Sequence, residues 1–454
     1  MEGFDLKDIV VGAGKLGFEV ASRLCHENHD VVVIDHAAER LSEIERNLDV
    51  MAIHGNGASL RVLHEAKADE ASLFIATTEH DEVNMLACIL AKQMGTRKTV
   101  ARVREPDYDI DRTLTKSGSY PGVDVTVNPD LQAAAELARI IKNPEASEFD
   151  YLAGGKVHIL SYVIAHDSPL ANQEVRNLDL EASTLVALIR DGEVTIPRGH
   201  TVLLPGDKVF AAGRRGTASL FGFKAGREAG RLRTVSVIGG LSVGYYLARS
   251  LEPLVSQGVQ VKVFEGDVEQ CELLAEAFPR LTVVHGDGSR LEVLEDENVR
   301  QSDAAAVVSE NDQSNLLTGY FLKRMGVPRV AVSVSRSEYL PLTAHMELDA
   351  TVVPRVSAAA TILKIARGDR VLSLALLKEA RAEVLELLVP DHAPACGVAL
   401  KDLEMPEGAI IGSIVREGQV IVPRGNTRIA ASDHVIVFTV EAAKDSTAHL
   451  FGSR

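Results

Sequence analysis

The sequence predicts an α/β protein with two doubly wound parallel-sheet domains, each followed by a small, β-rich α+β domain. Three observations carry this expectation. IVVGAGKLG, residues 9–17, reads as a buried strand, a tight glycine turn and a helix start. Short apolar segments then alternate with helical ones, and a β-α alternation implies a parallel sheet with right-handed crossovers. Finally, the chain is written twice. HGNGASLRVL begins at His54, and HGDGSRLEVL begins 231 residues on, at His285. TEHDEVNMLACILAKQMG from Thr78 aligns at the same offset with SENDQSNLLTGYFLKRMG from Ser309. RDGEVTIPRGHT from Arg190 returns at Arg416 as REGQVIVPRGNT.

Four units follow in order. In the first, residues 1–144, strands are expected near 8–12, 30–34, 50–54, 72–77, 98–103 and 123–127. Helical patterns fill most of the gaps, for instance 80–94, and a further helix over 129–141 follows the sixth strand. This is a Rossmann-like arrangement. The second unit, 145–227, is rich in Val and Ile and punctuated by DGE, PRG and PGD turns, so it reads as a small β-rich domain. Residues 228–369 repeat the first unit and 370–454 the second. GFKAGREAGRLR (222–233) reads as the linker between the halves.

Bulk properties narrow the function. The chain has 454 residues, 46% hydrophobic and 25% charged, as expected for a globular protein of several domains. A net charge of −16 argues against nucleic acid as a main partner, because phosphate contacts need clustered Lys and Arg. No apolar run approaches the ~20 residues of a membrane span. The start MEGFDLKD lacks the basic and apolar regions of a secretory signal. Cys25, Cys88, Cys271 and Cys396 are scattered without a CxxC pair, which fits a reducing cytoplasm and no structural zinc.

The glycine turn carries the binding chemistry. Gly12, Gly14 and Gly17 form G-x-G-x-x-G: Gly12 for the turn, Gly14 for close approach of a pyrophosphate, Gly17 for helix–strand packing. The helix N-terminus beyond it (Ala13, Lys15, Leu16) offers N–H groups to phosphate. Asp35, followed by His36 at the tip of the second strand, can accept from ribose hydroxyls and repel a 2′-phosphate, favouring NAD(H) or adenosine phosphates over NADP. Lys15 is either a phosphate partner or a surface lysine. Arg102 and Arg104, at the end of the fifth strand, share a face and can project toward phosphate or a neighbouring subunit, or form surface salt bridges. Asn56, Gly57 and Ala58, with Thr77 and Thr78, fall at strand ends where the adenosine is expected.

The second copy is altered where it matters. Its loop, IGGLSVG, keeps Gly239 and Gly244, with Gly240 between strand and turn, but Leu241 stands where Gly14 stood and Ser242 where Lys15 stood. Ser333 and Ser335 replace the arginines, and Glu265 keeps the acid. This site is expected to hold a different nucleotide, such as a mononucleotide, or none.

Neither HExxH nor GxxxxGK[ST] occurs. His26 and His29 lack a third ligand. DYDID (Asp107, Asp109, Asp111) fails as a calcium loop, because Arg112 and Gly118 occupy the positions of its glycine and bidentate glutamate. No catalytic residue and no metal site are expected. An NAD-dependent oxidoreductase is the rival reading.

IVVGAGKLG, VVVID, HGNGAS, ATTEHDEVNMLAC and VARVREPDY, in this order, resemble the RCK domain, also called KTN or TrkA-N. The block RDGEVTIPRGHTVLLPGDKVF resembles the TrkA-C domain. The tandem N–C–N–C plan is similar to the regulatory subunits of Trk-type bacterial potassium uptake systems. The resemblance implies a non-enzymatic cytoplasmic protein, peripheral on the inner membrane, that docks on a TrkH/TrkG-type potassium-translocating subunit. It implies a homo-oligomeric ring, four chains supplying eight N lobes, that responds to NAD(H) and to ATP or ADP. It also places Gly12, Gly14, Gly17, Asp35, Lys15, Arg102 and Arg104 in the nucleotide site. A tandem RCK chain serving another cation transporter is the alternative partner reading.

Overall fold

The computed structural model describes residues 7–105, 108, 120–142, 149–153, 156–180, 183–191, 193–214, 232–343, 346–366, 371–377 and 382–452. The expected linker (up to residue 231), the acids of DYDID and the unit boundaries near 145, 228 and 370 lie outside the described residues.

The first copy forms a six-stranded parallel sheet: β1 (Lys7–Val11), β2 (Asp30–Asp35), β3 (Met51–His54), β4 (Leu73–Ala76), β5 (Lys98–Arg102) and β6 (Val125–Val127). Each lies within two residues of its expected position. The order β3-β2-β1-β4-β5-β6 reverses between β1 and β4, which opens a crevice above their C-terminal ends. The helices are α1 (Lys15–His26), α2 (Ala38–Asn47), α3 (Leu60–Glu65), α4 (Asp81–Met94) and α5 (Pro129–Lys142). Buried runs such as Ile9-Val10-Val11 and Phe74-Ile75-Ala76 mark strands covered on both faces.

An antiparallel sheet follows: β7 (Phe149–Leu152), β8 (Val157–Val163), β9 (Ser183–Arg190), β10 (Glu193–Thr195) and β11 (Lys208–Arg214), in the order β10-β9-β11-β8-β7. The second half repeats both sheets. β12 (Thr234–Ile238), β13 (Gln260–Glu265), β14 (Thr282–His285), β15 (Ala304–Val307), β16 (Arg329–Ser333) and β17 (Ala350–Val352) are parallel, in the order β14-β13-β12-β15-β16-β17. β18 (Val371–Leu377), β19 (Ala382–Leu388), β20 (Ala409–Arg416), β21 (Gln419–Ile421) and β22 (His434–Val440) are antiparallel.

The copies exchange their last helices. α5 ends the first copy, yet Leu137, Ile140 and Ile141 are buried with Val235, Val237, Leu247 and Val352 of the second. In return, Ala358, Ala359, Ile362 and Leu363 of the helix Pro354–Ala366 are buried with Val10, Ala13, Leu16 and Val20 of the first. Each large apolar side chain buried this way contributes roughly 1.5–3 kcal/mol. Polar contacts join the seam: Asn128 donates to the Tyr246 hydroxyl at 2.9 Å, and the Ser357 hydroxyl donates to Glu136 at 2.6 Å.

The two β-rich units also pack face to face. Val186, Phe210 and Ala212 share a core with Val384, Ile436 and Phe438, and a Cβ on Gly412 would meet Val186 at 2.8 Å. The repeated RDGE/REGQ block has a structural reason. Arg190 clamps Asp207 with two bonds of 2.7 and 2.6 Å, and Arg416 clamps Asp433 with two of 2.8 Å. Each pair braces the turn before the last long strand of its unit.

Candidate functional site

A cleft of about 1450 Å³ opens between the two parallel sheets. Gly12, Ala13, Gly14, Lys15, Leu16, Asp35, His36, Asn56, Gly57, Thr77, Thr78, Arg102 and Arg104 line its first-copy wall. Gly17, Ala58, Gly239, Gly240 and Glu265 are not on its surface. Residues from Ser242 to Arg355 form the opposite wall.

The glycines divide their work as the spacing suggests. Gly12 has φ +98°, and a Cβ there would press on the Thr77–Thr78 backbone at 3.0–3.1 Å. A Cβ on Gly17 would overlap the Gly12 carbonyl oxygen, so this glycine sets the helix against the strand. Gly14 has extended backbone, and a Cβ there meets nothing within 4 Å. Its open face is the approach to the N-terminus of α1. No side chain caps that helix and no acid sits in its first turn. Lys15 is exposed and makes no ion pair among the described residues.

Asp35 has a structural task in the loop. It is 4% exposed; its carboxylate accepts from the Ala13 amide at 2.6 Å and the Ala37 amide at 2.8 Å. The acid pins the glycine loop to the tip of β2. Glu265 does the same in the second copy, accepting from Gly240 at 2.7 Å and from Gly266 and Asp267 at 2.7 and 3.0 Å. Glu265 thus braces its loop as Asp35 does, and it does not line the large cleft. Gly239 and Gly240 do not line that cleft either, and a Cβ on them would meet the Ser309 backbone and Leu274.

The arginine pair is split. Arg104 binds Asp130 through Nε and Nη2 at 3.1 and 3.0 Å, the salt-bridge alternative. Arg102 donates through Nη1 to the Thr78 carbonyl at 2.8 Å, while its Nε is buried with no hydrogen-bond partner. Burial, and then the charge of Arg104, push its pKa below the usual arginine value. An arginine in that state favours an incoming anion. The orphaned Nε, the open face at Gly14 and the unpaired Lys15 together fit a phosphate-bearing ligand.

Asn84 belongs to the block ATTEHDEVNMLAC. It is fully buried on α4 and accepts from the Thr78 amide (2.8 Å) and hydroxyl (2.7 Å). Its amide nitrogen donates to the carbonyls of Thr78 (3.0 Å) and Arg102 (2.9 Å), tying the ends of β4 and β5 together. Asn315 repeats the pattern with Ser309 and Ser333. Its recurrence 231 residues on was the available signal. Asn84→Leu is expected to destabilise the first lobe by about 1–3 kcal/mol for each backbone group left unsatisfied, read by thermal denaturation.

In the second copy the helix starts at Val243, one residue later in alignment than α1. Ser242 is held at φ +42°, and the Gly244 amide donates to the Leu241 carbonyl at 2.7 Å. A helix amide that stays open in the first copy is consumed here.

Models of the TrkA-N domain match residues 9–129 and 235–354, and models of the TrkA-C domain match 159–221 and 384–452. The chain belongs to the TrkA-N/TrkA-C family. A TrkA homologue of the Trk potassium uptake system in Methanosarcina mazei is 32% identical, covering 98% of this chain and 100% of that one. One from Archaeoglobus fulgidus is 33% identical, over 95% of this chain and 97% of its own. Among solved structures, the GsuK RCK domain superposes with a TM-score of 0.60 at 15% identity, covering 100% and 96% of the two chains. The GsuK channel bound to NAD gives 0.61 at 15% identity, covering 100% and 80%. These likenesses agree with the fold of the tandem TrkA-N/TrkA-C chain. Its relatives are named for potassium uptake, in keeping with a protein that is not an enzyme. No described helix is long and apolar enough to cross a membrane.

Proposed function

We propose that this chain is the regulatory component of a Trk-type potassium uptake system and reads nucleotide occupancy in the first copy's cleft. The shared cleft is the observation that supports this most. The intact glycine loop and Arg102 stand on one wall, and the other wall belongs to the second copy. The loop amides, Lys15 and Arg102 bind phosphates, and the wall around Asp35, His36 and Asn56 takes the adenosine. NAD(H), and ATP or ADP, are the ligands; a NAD-bound GsuK channel of the same fold supports the class.

A ligand shifts a two-state protein only through different affinities for the states. One that touches both copies has that difference whenever the copies move apart. Moving an equilibrium from 1:99 to 99:1 takes ~5.5 kcal/mol, whereas a coupled site supplies ~1–3 kcal/mol. Several chains must therefore act together, which favours a ring, four chains giving eight lobes. Its partner is a TrkH/TrkG-type membrane subunit, met on the cytoplasmic face of the inner membrane.

Calorimetric titration of the full chain with NADH, NAD⁺, ATP, ADP and NADPH tests the reading. We expect saturable binding at one strong site per chain, NADPH weakest, with no change in nicotinamide absorbance at 340 nm. Turnover, or two equal sites per chain, would overturn it.

A further inference from the structure

The two glycine loops meet different residues at the start of the helix that the other copy packs against them. The helix Pro354–Ala366 leaves the second copy and buries Ala358, Ala359, Ile362 and Leu363 beside Ala13 and Leu16, which belong to the first copy's loop. Its first turn, with Pro354 and Arg355, opens into the same cleft as Gly14 and Lys15. The first turn carries no acid. In the mirror position, α5 begins with Pro129 and Asp130, and Asp130 shares a groove with Leu241 and Ser242 of the second loop. The loop that keeps Gly14 and Lys15 thus meets an arginine. The loop that lost both meets an aspartate already paired with Arg104.

Arg355 is held ready. Its side chain is 15% exposed; Nη2 donates to the Ser337 hydroxyl at 2.6 Å and lies 3.7 Å from Glu338, itself 73% exposed. Nε and Nη1 have no partner among the described residues. Two helix N-termini, a free ammonium and a guanidinium with open donors line one cavity from its two walls. Such a set suits a chain of phosphates ending in a free dianion better than a pyrophosphate closed by a ribose at both ends.

We propose that Arg355 is a specificity residue for a nucleoside di- or triphosphate held in the first copy's cleft, donating to its terminal phosphate from the second copy. This rests on the cleft being the nucleotide site. It makes the ligand's last phosphate the group that spans the two copies, so phosphate number, not the adenosine, reports to the second lobe.

The test is calorimetric titration of the full chain with ATP, ADP and AMP, comparing wild type, Arg355→Gln, Arg355→Lys and Gly14→Asp. In Arg355→Gln, affinity for ATP falls at least about tenfold, as for loss of a charge-assisted bond, while AMP changes less than about twofold. Arg355→Lys recovers part of the loss. An unchanged ATP-to-AMP ratio in Arg355→Gln, with binding abolished in Gly14→Asp, overturns this proposal and leaves the site standing. Binding indifferent to Gly14→Asp overturns the site itself. Equal loss of ATP and AMP marks a structural role for Arg355 and also overturns the proposal.

Discussion

Gly14→Asp abolishes nucleotide binding and leaves the protein folded. The expectation follows from what surrounds the residue. Gly14 has φ −72° and ψ −176°, a conformation any residue adopts, and a side chain there points into open cleft. Aspartate is moreover a good residue to precede a helix, so stability is unchanged or slightly raised. The same carboxylate occupies the phosphate position with a like charge in front of the open amides of α1. Affinity is expected to fall more than about a hundredfold, the scale of one lost charged contact of ~3 kcal/mol. The melting temperature stays within experimental error. Gly17→Ala reverses the pattern: its methyl overlaps the Gly12 carbonyl, and overpacking of this kind typically destabilises by ~1–3 kcal/mol or more. Calorimetric titration beside thermal denaturation separates the two. Retained binding in Gly14→Asp means that phosphate does not sit at this loop.

The fold was legible because both of its signals are local. A glycine turn, β-branched runs and punctuating turns need no knowledge of distant partners. The repeat then doubles the information, since each strand of one copy is read again in the other. What the pattern did not reveal depends on long-range packing. Ala133, Leu137 and Ile141 announce an amphipathic α5, but nothing in their spacing says that the sheet they cover belongs to the other copy. The split of Arg102 from Arg104 is of the same kind. Both point off one strand end, and only the position of Asp130 on the next helix decides which of them is already paired. Asn84 escaped because a polar residue inside a helical stretch reads as solvated until β4 and β5 are seen ending on either side of it. Asp35 was read for its charge and its distance from Gly12, which left out the amides within its reach.

That double role of Asp35 gives the second large expectation. Asp35→Ala removes two hydrogen bonds from buried or half-buried amides, those of Ala13 and Ala37. Each unsatisfied amide is worth ~1–3 kcal/mol, so the loop loosens and the first lobe melts earlier. Glu265→Ala removes one part-buried bond, from Gly240, and two exposed ones, from Gly266 and Asp267, whose amides can turn to water, so it is expected to destabilise the second lobe less. If bracing were the acid's whole task, neither variant would change ligand preference. We expect them to part. Asp35 stands on the wall of the cleft and Glu265 does not, so only Asp35→Ala lowers NADH affinity, by at least about tenfold. Only Asp35→Ala also narrows the gap between NADH and NADPH, because the carboxylate that repels a 2′-phosphate is gone. Asp35→Asn discriminates further. It keeps one acceptor for the Ala13 amide but not the charge, so the loop is largely held while discrimination against NADPH is lost. Parallel titrations with the two dinucleotides read this directly. An unchanged NADH-to-NADPH ratio in both Asp35 variants reduces the acid to a brace and moves the ribose elsewhere in the cleft.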